Sequence, residues 1–119
     1  MVASMGETKV SVYRVEKPKG GRGPYSLPET IGLHIAHSDG LHPDPREDGL
    51  KSLHRNEYCG FATLMSLHLW FDGWQVRLAE LGFSIAVYIV PVSLIRYANH
   101  QLVFRRGDLL PVYYRSLLA

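Results

Sequence analysis

Cysteine is almost absent from this 119-residue chain, where Cys59 stands alone. An internal disulfide is therefore excluded, and a reducing compartment such as the cytoplasm is the expected setting. Long apolar runs are missing as well. The longest, near residues 83–95, is broken by Ser84, Pro91 and Ser93. It is too short to span a bilayer and reads as a buried strand, so no membrane partner is expected. The first residues carry no apolar signal core, and residues 1–9 read as a disordered or tag-like lead-in. Basic runs stop at Arg105-Arg106, and the formal net charge is only +2. With no stripe of interleaved arginines and aromatics, nucleic acid is not an expected partner. Internal repeats and low-complexity tracts are absent.

What remains is the composition of one globular domain. Hydrophobic residues make up 46% and charged residues 20%, enough for a core within a length that suits one domain and not two. Residues 10–119 are expected to form that domain. Its class reads as α+β, with a mostly antiparallel sheet, one or two helices packed on it and a long irregular loop.

The first strand is expected at Lys9–Glu16, where Val10 and Val12 alternate with polar residues. Residues 17–25 hold three glycines and two prolines, which favour a turn or an adaptable loop. Residues 26–57 are the least regular third, and Pro28, Pro43 and Pro45 exclude a long helix there. The spacing of Leu64, Leu67 and Phe71 predicts a helix over 63–71. Asp72-Gly73 stops it, and a second helix or a continuation runs from Trp74 to Leu81 with Gly82 as its C-cap. Ser84–Val90 is apolar on both faces and reads as a central strand covered on both sides. Strands around 101–104 and 110–114 complete the sheet, with a bend at Gly107-Asp108.

Four constellations bear chemistry. Cys59-Gly60 precedes the expected helix, where N-terminal amides would stabilise a thiolate, and His100 is a candidate base with Asn99 or Asp108 to orient it. The block is superficially similar to the nucleophile helix of papain-like hydrolases. The competing reading is a buried inert thiol and an exposed turn histidine. A second group, His34, His37 and His42 with Asp39 and Asp44, holds metal-ligating residue types, but its spacing matches no closed site and no metal ligand is assigned. In the third group, Arg14 offers a planar fork for phosphate or carboxylate, with Tyr13 or Tyr25 to stack on a planar ring and Gln101 nearby. The alternative is a surface ion pair of Arg14 with Glu16 or Glu29. The fourth is aromatic: Trp70 and Phe71 as core anchors, and Tyr113-Tyr114-Arg115 as a candidate protein-binding surface.

The order Val12-Tyr13-Arg14, a glycine-rich loop, Gly60-Phe61-Ala62 opening a helix, Ala86–Pro91 and Gln101–Phe104 resembles small bacteriophage proteins. More distantly it is similar to ADP-ribosyltransferase-like folds, which hold NAD in a cleft between two small antiparallel sheets. The resemblance covers most of residues 10–114 and implies a nucleotide or NAD cleft near Arg14. Arg14 would hold phosphate, Tyr25 would stack on nicotinamide or adenine, and Gln101 would contact the ribose as the candidate catalytic residue. Gln101 departs from the family, which carries glutamate there, because an amide cannot supply the negative charge that stabilises a developing cation. A second hypothesis is a non-catalytic inhibitor or adaptor that occupies a host protein, as in anti-defence proteins. A third is a cysteine hydrolase using Cys59 and His100.

Overall fold

The computed structural model describes residues 7–119, so the expected lead-in falls largely outside the described residues. Six strands follow in chain order with three short helices. They are β1 (Lys9–Glu16), α1 (Ile31–Ala36), β2 (Glu57–Gly60), α2 (Leu64–Trp70), α3 (Gln75–Glu80), β3 (Ser84–Pro91), β4 (Ile95–Tyr97), β5 (Leu102–Arg105) and β6 (Tyr113–Arg115). The α+β class is as expected, but the strands form two sheets and not one. One has the order β1-β3-β6 and the other β2-β5-β4, all pairs antiparallel.

The continuous apolar character of β3 explains the layering. Ile85 and Val87 point into one buried cluster with Leu33, Leu67, Phe71 and Leu78 from the three helices. Ala86, Tyr88 and Val90 point the other way, into a second cluster with Ile95, Leu102 and Phe104 from the second sheet. The β1-β3-β6 sheet is thus the middle layer, and the period of two along β3 feeds both faces. Val12 and Val15 on β1 divide between the same two clusters.

The sheets are stitched together where Tyr13 on β1 and Phe61 exchange backbone hydrogen bonds, at 2.9 and 2.8 Å. Gly60 makes that crossing possible. A Cβ there would lie 2.8 Å from Val12 Cγ1, 3.2 Å from the Tyr13 carbonyl oxygen and 3.3 Å from Phe104 Cε1. Gly60→Ala is therefore expected to lower stability by about 1–3 kcal/mol, since the crowded neighbours are core side chains and backbone. Urea unfolding of the variant checks this. An unchanged midpoint would mean the two sheets do not cross so closely.

Two expectations are corrected. Gly60-Phe61-Ala62 does not open a helix, because Gly60 ends β2 and Phe61 forms the bridge to β1. Helix α2 itself matches the expected 63–71 span to within a residue at each end, with the Thr63 hydroxyl accepting the Ser66 amide at 3.0 Å. Thr63 is a good N-cap, whereas Gly60 is held extended by its pairing with Leu102. The segment 17–57 is not one long loop, because a 3-10 turn at Pro28–Thr30 leads into α1. Pro28 sits at the start of that turn, where a missing N–H costs nothing, and burial of Leu33 anchors the short helix. The expected break at Gly73 and the cap at Gly82 are both present, at φ 87° and 93°.

Candidate functional site

A cavity of about 790 Å³ lies between the start of the second sheet, α1, the end of α2 and the segment 37–47. Arg14, Tyr25 and Gln101, which reach it from distant parts of the chain, all line it, and so do Cys59, His37, His42 and Trp70. The sequence brings these together because β1, β2 and the residue before β5 are neighbours through the Tyr13–Phe61 bridge and the β2–β5 ladder.

Arg14 is both paired and buried. Its side chain is only 11% exposed. Nε donates to the Glu16 carboxylate at 3.1 Å, and Nη1 donates to the Cys59 carbonyl at 3.0 Å. The expected Glu16 pair is real, but it is not a surface pair. Burial lowers the Arg14 pKa, and the Glu16 charge only partly opposes this. Nη2 makes no hydrogen bond among the described residues, and none of their buried side-chain nitrogens or oxygens lacks a partner. Nη2 is therefore not fully enclosed, and Arg14 is one of the residues that line the cavity.

Gln101 is fixed at one end. Its Nε2 donates to the Pro43 carbonyl at 2.7 Å and lies 3.4 Å from Asp48 Oδ2. By the same reasoning its Oε1, with no donor among the described residues, stays available as an acceptor.

Opposite them is a wall of rings. Trp70 Nε1 donates to the Tyr25 hydroxyl at 2.8 Å, which in turn donates to His37 Nδ1 at 2.5 Å. His37 stacks on His42 with centroids 3.6 Å apart and planes 3° from parallel. His42 Nδ1 faces both Asp39 oxygens at 3.1 Å, and Nε2 faces the Trp70 carbonyl at 2.9 Å. Both His42 nitrogens thus point at acceptors, whereas His37 uses Nδ1 to accept. Burial and the neighbouring His42 charge push the His37 pKa down to about 4. Burial pushes the Tyr25 hydroxyl up.

A pH dependence follows. The folded protein holds His37 neutral, while the unfolded chain protonates it near pH 6.5. Between about pH 6.5 and 4 the unfolded state binds more protons, so stability is full above that window and falls as the pH drops through it. Thermal melts at pH 7 and pH 5 are expected to show the loss. His37→Asn, which keeps an acceptor but does not titrate, is expected to flatten the difference. An equal slope in the variant would assign the effect elsewhere.

Cys59 and His100 are not brought together. Cys59 lines the large cavity, while His100 lines a smaller one of about 280 Å³. The His100 side chain is 64% exposed, and Asp48 orients it through Nδ1 at 2.7 Å in place of Asn99 or Asp108. Burial raises the Cys59 thiol pKa, the opposite of what a nucleophile needs. No group of three or more His, Cys, Asp or Glu residues among the described residues is placed to hold a metal ion. Asp48 escaped the sequence reading, since its role depends on contacts with residues more than fifty positions away. Trp70 packs against the core cluster, as expected of an anchor, and it also lines the cavity, with its indole N–H on the Tyr25 hydroxyl.

Two antiparallel sheets over short helices, with a ring-lined cavity beside one buried guanidinium, define a small α+β protein. The chain belongs to the Bacteriophage T4 Y00F protein family, whose model matches residues 5–117, and is thus a small phage protein. No curated protein and no solved structure matches it, and the expected similarity to ADP-ribosyltransferase-like folds is not supported by these comparisons. No helix of the described residues is long and apolar enough to cross a membrane.

Proposed function

We propose that this phage protein binds a nucleotide, NAD-like in chemistry, in the cavity beside Arg14. One observation carries the reading. The free Nη2 of Arg14, the free Oε1 of Gln101 and the Tyr25 ring line the same space. A guanidinium donor suits phosphate, an amide oxygen suits a ribose hydroxyl, and aromatic walls suit a base. The role is binding rather than turnover. Gln101 is neutral, and ADP-ribose transfer from NAD needs a negative charge near the anomeric carbon. The host cytoplasm is the setting this ligand implies.

The test is thermal and optical. Saturating NAD is expected to raise the melting temperature and to quench fluorescence from Trp70. It is also expected to slow alkylation of Cys59, the unique thiol, which lines the same cavity. NAD leaving all three signals unchanged would overturn the reading.

A second reading has its own support. Tyr113 and Tyr114, 51% and 41% exposed, lie on the edge strand β6 beside exposed Leu110 and Val112. Exposed aromatics on a sheet edge suit a host protein as partner. A host protein retained by the chain and lost with Tyr113→Ser/Tyr114→Ser, but not with Arg14→Lys, would favour this adaptor role.

A further inference from the structure

Resting on the nucleotide reading, we infer that His37 is the residue that recognises the ligand's ring. Its Nε2–H donates to an uncharged acceptor on the ring's edge, a carbonyl oxygen or an unprotonated ring nitrogen. A chain of hydrogen bonds fixes the proton there. The Trp70 indole N–H can only donate, and it gives its hydrogen to the Tyr25 hydroxyl at 2.8 Å. Tyr25 has one hydroxyl hydrogen, and its acceptor among the described residues is His37 Nδ1. Burial and the neighbouring His42 charge keep the His37 ring neutral at neutral pH. A neutral imidazole carries one N–H, so with Nδ1 accepting, the proton sits on Nε2.

Nε2 is the donor left for a ligand. It has no hydrogen-bond partner among the described residues, and none of their buried side-chain nitrogens lacks one, so Nε2 is not fully enclosed. His37 lines the cavity. His42, stacked on it at 3.6 Å, has no such donor to spare, because its two nitrogens face Asp39 and the Trp70 carbonyl. The surroundings decide what Nε2 meets. The rings of Tyr25, Phe71 and Trp70 lie 5.8, 5.9 and 6.3 Å from the His37 ring, at angles from 37° to 88°. A planar ring entering among them loses water at its edge, and a polar edge atom then needs a protein partner. A ring edge that presents only donors would leave its own N–H and that of His37 unpaired, which selects against it.

The experiment has a spectroscopic arm and a binding arm. Long-range proton–nitrogen NMR spectra of the imidazoles report the tautomer, and His37 is expected to carry its hydrogen on Nε2. A hydrogen on Nδ1 would overturn the inference. Calorimetric titration at pH 7 then compares the native protein with two variants whose folding circular dichroism confirms. His37→Asn keeps an acceptor for Tyr25 but puts no donor where Nε2 stands, whereas the amide nitrogen of His37→Gln lies near that position. His37→Asn is expected to weaken NAD about tenfold, and His37→Gln to bind it within about threefold of native. A merely structural role for His37 would not separate the two. Of AMP and nicotinamide mononucleotide, the one whose ring reaches Nε2 is expected to lose affinity as NAD does. Ribose 5-phosphate, which lacks the ring, is expected to respond alike to native protein and His37→Asn. NAD affinity unchanged in His37→Asn, or an equal loss on ribose 5-phosphate, would overturn this inference and leave the nucleotide reading standing. Binding of no compound by the native protein would overturn both.

Discussion

Replacing Glu16 by alanine is expected to destabilise the protein by about 3–5 kcal/mol, because it leaves a buried guanidinium without its counter-charge. Glu16 is 1% exposed, and its Oε1 takes Arg14 Nε at 3.1 Å and the Tyr88 hydroxyl at 2.7 Å, with Arg106 Nη1 at 3.7 Å. Three elements, β1, β3 and the segment after β5, converge on that one carboxylate. For a chain of this size the loss corresponds to a fall in melting temperature on the order of 10–25 °C. Glu16→Gln, which keeps an acceptor for Tyr88, is expected to lose less. Adding Arg14→Met to Glu16→Ala is expected to recover part of the loss, since the orphaned cation is then gone. A melting temperature within 2–3 °C of the native value for Glu16→Ala would show that water already screens the cluster.

Asp48→Ala is the second large effect, about 2–3 kcal/mol, with loss of ligand binding. The Asp48 carboxylate is buried, and it accepts the His100 amide and His100 Nδ1 at 2.7 Å each. Its backbone carbonyl accepts the Asn99 amide at 2.9 Å. Hydrogen bonds to a charged acceptor are worth about 1.5–3 kcal/mol each, and removing the acceptor strands their donors. Those contacts tie the segment that walls the cavity, Pro43 to Glu47, to the turn that presents Gln101. Binding and stability are therefore expected to fall together. Burial acts to raise the Asp48 carboxyl, but the His100 side chain and amide with Gln101 outweigh it and hold the pKa below its ordinary 3.8. The Asp48 contribution is thus present above about pH 4 and lost as the pH falls further. Asp48→Asn should keep part of the network. Retention of native stability and full NAD affinity by Asp48→Ala would sink the assignment.

Much of the fold could be read along the chain, and the successes share a cause. β1 and β3 announce themselves through period-two patterns, and β3 through apolar residues on both faces, because each face of the middle sheet meets its own core cluster. Gly73 and Gly82 mark helix ends because only their positive φ allows the turn. The misses share a cause too. Helix α1 spans six residues, less than two turns, and its signal was hidden behind Pro28, a residue that breaks a helix interior but opens a helix start. β2 carries no strand signal in the sequence, because Cys59-Gly60 has weak strand propensity. Its extended form comes from pairing with β5.

The candidate site divides along the same line. Arg14, Tyr25 and Gln101 were legible as residue types able to hold phosphate, ring and hydroxyl, and the fold places them on one cavity. The free nitrogen on Arg14 was not legible, because it depends on where Glu16 and Cys59 sit in space. The same holds for the His37–His42 stack, whose rings belong to residues that look like ordinary loop histidines. Local pattern, by itself, determined the class of the protein, its central strand and its helix stops, since these follow from periodicity and backbone freedom within a few residues. Tertiary structure alone decided the division into two sheets, the burial of the Arg14–Glu16–Arg106 cluster and the identity of the groups left free to meet a ligand. Those depend on hydrogen bonds and charges supplied by residues tens of positions apart, and such partners leave no mark on the local sequence.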